Sequence, residues 1–363
     1  MGVTRRLDDV TARDAVTVGG KAASLGEMLK AGLPVPSGFV VPASVYAECR
    51  LTWGHGPDLE ALVVALRGAP LADVEDACAQ VRAMVASIPI PAGVEDAVDL
   101  AYRALCASAH DPELAVTVRS SSVGEDSAGA SFAGEHDTYL WVRGSAGVVD
   151  AMRRCWASLY TSRAIAYRSE MGLGDRGLSM GVVVQAMVVP TSAGVAFTLN
   201  PSNGDRSVVA IDSAWGFGEA VVSGETTPDH FLVDKVLDAI THRTVSDKEH
   251  EFRLVEGDRI LRCVVEEDRR RVASLTDAQI VDVARMARTA ERHAGCPQDV
   301  EWALAPFGAG EPHVVLLQSR PETVWSRMPP RTLVGESDGD PMSSIVSTLL
   351  APLHTRSGDA HQP

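Results

Sequence analysis

Ten consecutive residues, Met180 to Val189, carry a single polar side chain, that of Gln185. A run of this texture reads as a strand buried on both faces, and such a strand needs a covering layer on each side of its sheet. At 363 residues the chain is too long for one simple core, so one domain of two lobes, or two domains, is expected. Its 45% hydrophobic and 22% charged residues are the composition of a soluble globular protein. The backbone of the run also suits a purine pocket, since adenine needs only one donor, one acceptor and apolar walls.

A second apolar run (Leu114, Val116, Val118) leads into Arg119 and then a segment rich in Ser and Gly that extends to Thr138. Small residues let the backbone approach a ligand closely, and successive N–H groups in such turns make a pocket for anions. Arg119 adds a planar charge suited to phosphate oxygens. Two readings stand side by side here, a phosphate cradle and a solvated loop. Lys21 presents a similar choice. It follows Gly19-Gly20 at the start of a helix running to Lys30 with Leu25, Met28 and Leu29 as its apolar face. A helix start attracts anions, but a solvated lysine fits equally, and the G-x-x-x-x-G-K-[ST] spacing is absent.

Between Ala43 and Ala109 the pattern is mainly helical and carries no clustered chemistry, with a break at Pro89-Ile-Pro91. Tyr139 to Val142 reads as a strand. The spacing predicts one long amphipathic helix over Val148 to Ala166, with Met152, Cys155, Trp156, Leu159 and Tyr160 as a core stripe. From Thr191 the texture changes to short strands with a turn at Asn203-Gly204, a glycine-punctuated loop over Trp215 to Gly224, and more sheet through Lys235. A lobe boundary near Pro190 follows. Thr276 or Asp277 caps a helix running to about Ala294.

Two closing strands carry the densest chemistry. Asp299, Glu301 and Ala303 share one face of the first, while Val300, Trp302 and Leu304 share the other. The second, Val314 to Pro321, ends in Gln318 and Arg320. Paired as a hairpin, the strands set an acidic pair beside a glutamine and an arginine. A carboxylate with an amide oxygen is hard-ligand chemistry for Mg²⁺ alongside phosphates, and Arg320 suits a phosphate clamp. A surface salt bridge at a strand end is the competing reading.

The formal net charge of −15 argues against a general nucleic-acid or anionic-membrane binder. A nucleotide remains compatible with it, because charges beyond roughly 8–10 Å are screened. The six cysteines (Cys49, Cys78, Cys106, Cys155, Cys263, Cys296) include no C-x-x-C pair. With no apolar leader near Met1 and no bilayer-length apolar run, they point to a cytoplasmic protein.

Read together, Gly19-Gly-Lys-Ala-Ala-Ser-Leu-Gly-Glu-Met28, Val118-Arg-Ser-Ser121, Ser131-Phe-Ala-Gly134, Trp156-Ala-Ser-Leu-Tyr160, Val184-Gln185 and Phe197-Thr-Leu-Asn-Pro201 fit one pattern. So do Trp215 to Gly224, Pro297-Gln-Asp-Val-Glu-Trp-Ala303 and Leu317-Gln-Ser-Arg-Pro321. Over roughly residues 14 to 325 the chain resembles the N-terminal ATP-binding domain of phosphoenolpyruvate synthase, pyruvate phosphate dikinase and rifampicin phosphotransferase. The resemblance implies an α+β, two-lobed ATP-grasp fold with ATP between the lobes: 1–190 as N-terminal lobe, 191–326 as C-terminal lobe, and 327–363 as a disordered or partner-docking tail. It implies that Lys21 and Arg119 hold phosphates, that Gly134 to Thr138 form a mobile phosphate loop, and that Gln185 lies by the adenine. It further implies that Glu301 and Gln318 ligate Mg²⁺ with Asp299 close by, and that Arg320 completes the phosphate contacts. Ala22 departs from the asparagine usual in the family.

In the family, phosphate passes to a histidine in a Gly-rich Thr/Ser-His segment of a separate swivelling domain, and this chain has no such segment. His136, inside the phosphate loop, and His230, after Pro228-Asp229, lack a carrier-like context. The expectation is therefore an ATP-binding subunit of a split dikinase, converting ATP to AMP and phosphate as it phosphorylates a histidine on a partner polypeptide. The final acceptor would be pyruvate or a small hydroxyl compound. Two alternatives stay open, a regulatory ATP-binding module without turnover and a direct small-molecule kinase releasing ADP.

Overall fold

The computed structural model describes residues 2–65, 71–123, 138–170, 178–256, 258–306 and 312–325. Contacts divide the chain into the units Met1–Trp325 and Ser326–Pro363. The expected tail at 327–363, like Gly134 and His136 of the expected phosphate loop, lies outside the described residues.

The apolar run that opened the sequence becomes the central strand of the first sheet. Its strands are β1 (Arg5–Arg6), β2 (Gly38–Val41), β3 (Val116–Ser122), β4 (Thr138–Val142) and β5 (Met180–Ala186), in the antiparallel order β1-β2-β5-β3-β4. Strand β5 is buried on both faces, and its alternation divides two cores. Val182 and Val184 join Val116 and Val118 in a cluster with helices, whereas Val183 and Val40 join a different cluster on the opposite face. The strand stops three residues earlier than the run suggests. Met187 N–H turns to the Ala115 carbonyl at 2.9 Å, just outside β3, so there is no further ladder to extend.

Helices α1 (Ala15–Val18) and α2 (Gly20–Lys30) precede β2, and α3 (Ala43–Trp53), α4 (Gly56–Ala65), α5 (Leu71–Ala86) and α6 (Ala92–Ala109) follow it. The expected long helix after β4 is instead two, α7 (Ser145–Ala157) and α8 (Ser162–Glu170), joined by a 3₁₀ turn over Ser158–Tyr160. Hydroxyls explain the break. Ser158 Oγ donates back to the Cys155 carbonyl at 2.7 Å, and Thr161, in extended conformation, accepts the Ala164 N–H at 3.1 Å. Such bonds let the backbone leave one helix and cap the next. The predicted stripe is core all the same. Met152, Cys155 and Trp156 are wholly buried, and Tyr160 shares a 2.9 Å hydroxyl contact with Tyr46.

The second sheet takes β6 (Ser192–Phe197), β7 (Val208–Trp215), β8 (Asp229–Asp234) and β9 (Ile240–Thr244). Strands β10 (His250–Val255) and β11 (Arg259–Val264) form a separate hairpin, and β12 (Gln298–Ala305) and β13 (His313–Pro321) complete the sheet in the antiparallel order β13-β12-β6-β7-β8-β9. Within the segment read as a second loop, Gly216 bridges to Phe252 of β10, and Glu219–Val222 form a short helix, α9. A buried ion pair anchors the chain leading into β10. Lys248 Nζ donates to Asp229 Oδ1 at 2.5 Å with both side chains fully enclosed, and Asp229 Oδ2 accepts from Ser274 N–H and hydroxyl.

After the short α10 (Glu267–Arg270), helix α11 (Asp277–Ala294) crosses one face of this sheet, started by a capping box between Thr276 and Gln279. Its Ile280, Val283, Ala284, Ala287 and Ala290 meet Val300, Trp302, Leu304 and Leu316. The same cluster contains Ala22, Ala23, Leu25 and Met28 of α2, together with Val183 and Val40 of the first sheet. One helix thus serves the cores of two sheets. Helices and antiparallel sheets in separate stretches of chain make the class α+β. Among the described residues no helix is long and apolar enough to cross a membrane.

Candidate functional site

Strands β12 and β13 place the polar residues by register. Asp299 lies opposite Arg320 and Glu301 opposite Gln318, but Trp302 lies opposite Leu316, so Leu317 is an extra residue, a β-bulge. The bulge has a large effect on which way side chains point. Simple alternation from Leu316, which belongs to the core under α2 and α11, would send Gln318 and Arg320 into that core as well. One inserted residue turns both to the opposite face, where Asp299 and Glu301 already point.

Across this face comes Arg119 from β3. Its Nη1 donates to the Leu317 carbonyl at 2.8 Å, and its Nη2 donates to both Gln318 Oε1 at 2.6 Å and Glu301 Oε2 at 3.1 Å. The side chain is 13% exposed, and its Nε is buried with no acceptor among the described residues. The carboxylate and amide oxygens therefore converge on a single cationic atom, which is the donor arrangement a small hard cation requires. Among the described residues no group of three or more His, Cys, Asp or Glu is gathered to hold a metal by itself.

One register step along, Arg320 binds Asp299 through Nε at 2.8 Å and through Nη2. Burial pushes the Asp299 carboxyl above its ordinary range, and Arg320 opposes that shift without cancelling it. Each candidate phosphate-binding arginine thus faces a candidate metal-binding carboxylate.

Helix α2 enters the same place through its first turn. Gly19, at φ 85° and ψ 164°, lies so close to β3 that a Cβ there would stand 2.0 Å from the Ser121 carbonyl oxygen. Ser121 Oγ accepts the Ala22 N–H at 3.0 Å, and Ser24 Oγ donates to the Ser319 carbonyl at 2.5 Å. The turn carrying Lys21 is therefore fastened to the strand of Arg119 on one side and to β13 on the other. Ala22 is wholly buried at that contact.

Gln185 is buried, and its Nε2 donates to the Pro36 carbonyl at 3.2 Å. In the β3–β5 ladder Thr117 pairs with Gln185 and Arg119 with Val183, so Gln185 stands on the face of Arg119 one step along. Thr138 is exposed and pairs with Arg119 from β4. No hydrogen bond joins Gln185 or Thr138 to the Arg119 cluster among the described residues. The structure brings Arg119, Glu301 and Gln318 into direct contact, sets Asp299 and Arg320 beside them, and fastens the Lys21 turn nearby.

Sequence reasoning missed an extension of this face. Glu301 pairs with Val195, Val195 with Asp212, and Asp212 with His230, one continuous row across the sheet. At its far end His230 Nδ1 meets Asp212 Oδ1 at 2.7 Å, and that bond raises the imidazole pKa above its ordinary value. The signal was present as Asp212, the charged residue that directly follows the apolar Val208 to Ile211 run.

A family model described as pyruvate phosphate dikinase, AMP/ATP-binding domain, matches residues 15–337. The probable phosphoenolpyruvate synthase of Methanothermobacter thermautotrophicus is 38% identical over 310 residues, covering 85% of this chain and 44% of that protein. The phosphoenolpyruvate synthase of Aeropyrum pernix is 36% identical over 353 residues, covering 88% and 42%. A rifampicin phosphotransferase from a Streptomyces species is 39% identical over 329 residues, covering 90% and 36%. The chain spans less than half the length of these relatives.

Proposed function

The chain belongs to the pyruvate phosphate dikinase AMP/ATP-binding domain family, and from that premise we propose that it binds Mg-ATP in an ATP-grasp cleft and passes phosphate to a histidine on a partner polypeptide. The lobes of that cleft are residues 1–190 and 191–326. The observation that carries the reading is the convergence of Glu301 Oε2 and Gln318 Oε1 on one cationic nitrogen of Arg119. Carboxylate, amide oxygen and guanidinium in mutual contact form the set that a metal-bound triphosphate needs.

The residues divide the tasks as follows. Glu301 and Gln318 hold Mg²⁺, with Asp299 behind them. Lys21, Arg119 and Arg320 hold phosphate oxygens, Gln185 borders the adenine, and Gly134 to Thr138 close over the phosphates. When bound, Mg²⁺ neutralises phosphate charge and orients the group to be transferred. Arg119 is set in advance, its Nη1 fixed by the Leu317 carbonyl, so its charge stabilises the transferring group with little reorganisation. ATP is cleaved to AMP and phosphate as the carrier histidine becomes phosphorylated, and the final acceptor is pyruvate or a small hydroxyl compound. Among the described histidines, His230 is held by Asp212, His242 contacts Thr244 and His293 is held by Glu27. The free cysteines, four of them buried, suit a cytoplasmic setting.

The test combines the chain, Mg-ATP and a polypeptide supplying the carrier histidine, following AMP release and acid-labile phosphate on the carrier. Both are expected to appear together and to be lost with Arg119→Ala. Release of ADP on adding a small hydroxyl compound, or ATP binding with no turnover in any pairing, would refute the proposed transfer.

A further inference from the structure

The proposed metal ligands and the proposed phosphate ligand are each other's partners. Arg119 Nη2 occupies the point on which Glu301 and Gln318 converge, and Nη1 is taken by the Leu317 carbonyl. The guanidinium is 13% exposed and the Glu301 side chain 35%, so the pair is partly withdrawn from water and the contacts are charge-assisted. Arg320 and Asp299 repeat the exchange one step along the hairpin.

A divalent cation arriving alone must displace Arg119 from both oxygens. It would then leave the guanidinium beside a dication with no new acceptor for Nη2, while Nε already lacks one. A nucleotide arriving without metal meets the converse difficulty. Its phosphates can take Arg119, but Glu301 is then an uncompensated carboxylate facing a polyanion. Only metal and phosphate together satisfy every group at once: the cation goes to Glu301 and Gln318, and phosphate oxygens go to Arg119.

We propose that Arg119 is a counter-ion latch that makes the site selective for the metal–nucleotide complex over free metal and over metal-free nucleotide. The inference rests on the site assignment of the preceding subsection and adds a binding property to it. It requires positive coupling between metal and nucleotide, and because such coupling is reciprocal each must raise the affinity of the other by the same factor. For a latch that trades ion-pair partners, the factor is on the order of 10-fold or more, within the usual range of roughly 5- to 150-fold.

Mn²⁺, whose paramagnetic resonance reports free ion directly, is the probe, with a non-hydrolysable ATP analogue as nucleotide. Wild-type protein is expected to bind Mn²⁺ weakly alone and about 10-fold or more tightly with the analogue, and Mn²⁺ is expected to raise analogue affinity by the same factor. Arg119→Met should tighten nucleotide-free Mn²⁺ binding about 10-fold and reduce the coupling to within about 3-fold. Arg119→Lys, which keeps the cation, should leave nucleotide-free Mn²⁺ binding weak. Equal Mn²⁺ affinity with and without the analogue in the wild type overturns the latch, and this measurement needs no variant to fold. So does Arg119→Met protein that binds free Mn²⁺ no better than wild type. Glu301→Gln separates the two layers of argument. If it leaves Mn²⁺ binding in the presence of the analogue unchanged, the site assignment itself falls. If it weakens that binding while Arg119→Met shows no gain, the latch alone falls.

Discussion

Gly19 gives a quantitative test of how α2 is fastened to the Arg119 strand. Its backbone at φ 85° and ψ 164° lies in a region open almost only to glycine, where another residue costs about 1–3 kcal/mol. An alanine Cβ would stand 2.0 Å from the Ser121 carbonyl oxygen and 2.4 Å from its carbonyl carbon and Oγ. Those are mainly backbone atoms and cannot swing aside, so the first turn of α2 must move. Moving it breaks the buried Ala22 N–H to Ser121 Oγ bond, worth about 1–2 kcal/mol with its buried donor left unpaired. Gly19→Ala should therefore lose about 3 kcal/mol, within a range of roughly 2–5. Gly32 is the control. It also has positive φ, 75°, but a Cβ there meets nothing within 4 Å, so Gly32→Ala should lose only about 1 kcal/mol. Denaturant unfolding gives both values, and nucleotide titration reads the functional side. Gly19→Ala should weaken Mg-nucleotide binding by about 10-fold or more as the Lys21 turn is displaced, whereas Gly32→Ala should bind as wild type. Equal stability losses together with normal binding by both variants would refute the argument.

Deleting Leu317 makes the hairpin regular and leaves Gln318 and Arg320 on the face of Asp299 and Glu301, but it removes the carbonyl that holds Arg119 Nη1; Mg-nucleotide titration should show binding weakened by roughly 10-fold or more, where a surface-loop deletion elsewhere would spare it. Lys248→Met leaves the enclosed Asp229 carboxylate without its cation, and denaturant unfolding should show a loss of about 3–5 kcal/mol. Asp212→Asn removes the bond that raises the His230 pKa, and a histidine NMR titration should show the imidazole returning toward 6.5. The linked stability has a definite sign. A raised histidine pKa adds stability that is fully present below about pH 6.5 and is lost as pH rises through the raised value. The deficit of Asp212→Asn should accordingly shrink across that window.

Much of the arrangement was legible because it rests on short-range rules. Continuous apolarity marked β5 as a two-faced strand, alternation marked Asp299 and Glu301 as neighbours on one face of β12, and the cap at Thr276 or Asp277 announced the start of α11. The failures have equally local causes. Alternation along Val314 to Arg320 would place Gln318 with Leu316, and nothing in those residue types announces the bulge that separates them. The turn at Ser158 to Thr161 lies within an unbroken helical stripe, and only hydroxyl bonding to nearby backbone divides it. Long-range pairing was the least legible. That Arg119 would bind Glu301 and Gln318 depends on β3 and β13 coming together from nearly 200 positions apart in sequence, and no periodicity encodes it. The Asp229–Lys248 pair is hidden for the same reason, since two charged residues in a polar segment give no sign of complete burial.

Helix α2 belongs to a core that takes residues from both sheets, and this has a thermodynamic consequence. Had each sheet only a core of its own, as the first has on its other face, heating could melt one and leave the other intact. With Leu25 and Met28 committed to both, unravelling either sheet exposes apolar surface that the other also depends on, so partial melting is penalised twice. The two halves are therefore expected to denature in one calorimetric transition, and their slowest-exchanging amides to share a single opening free energy.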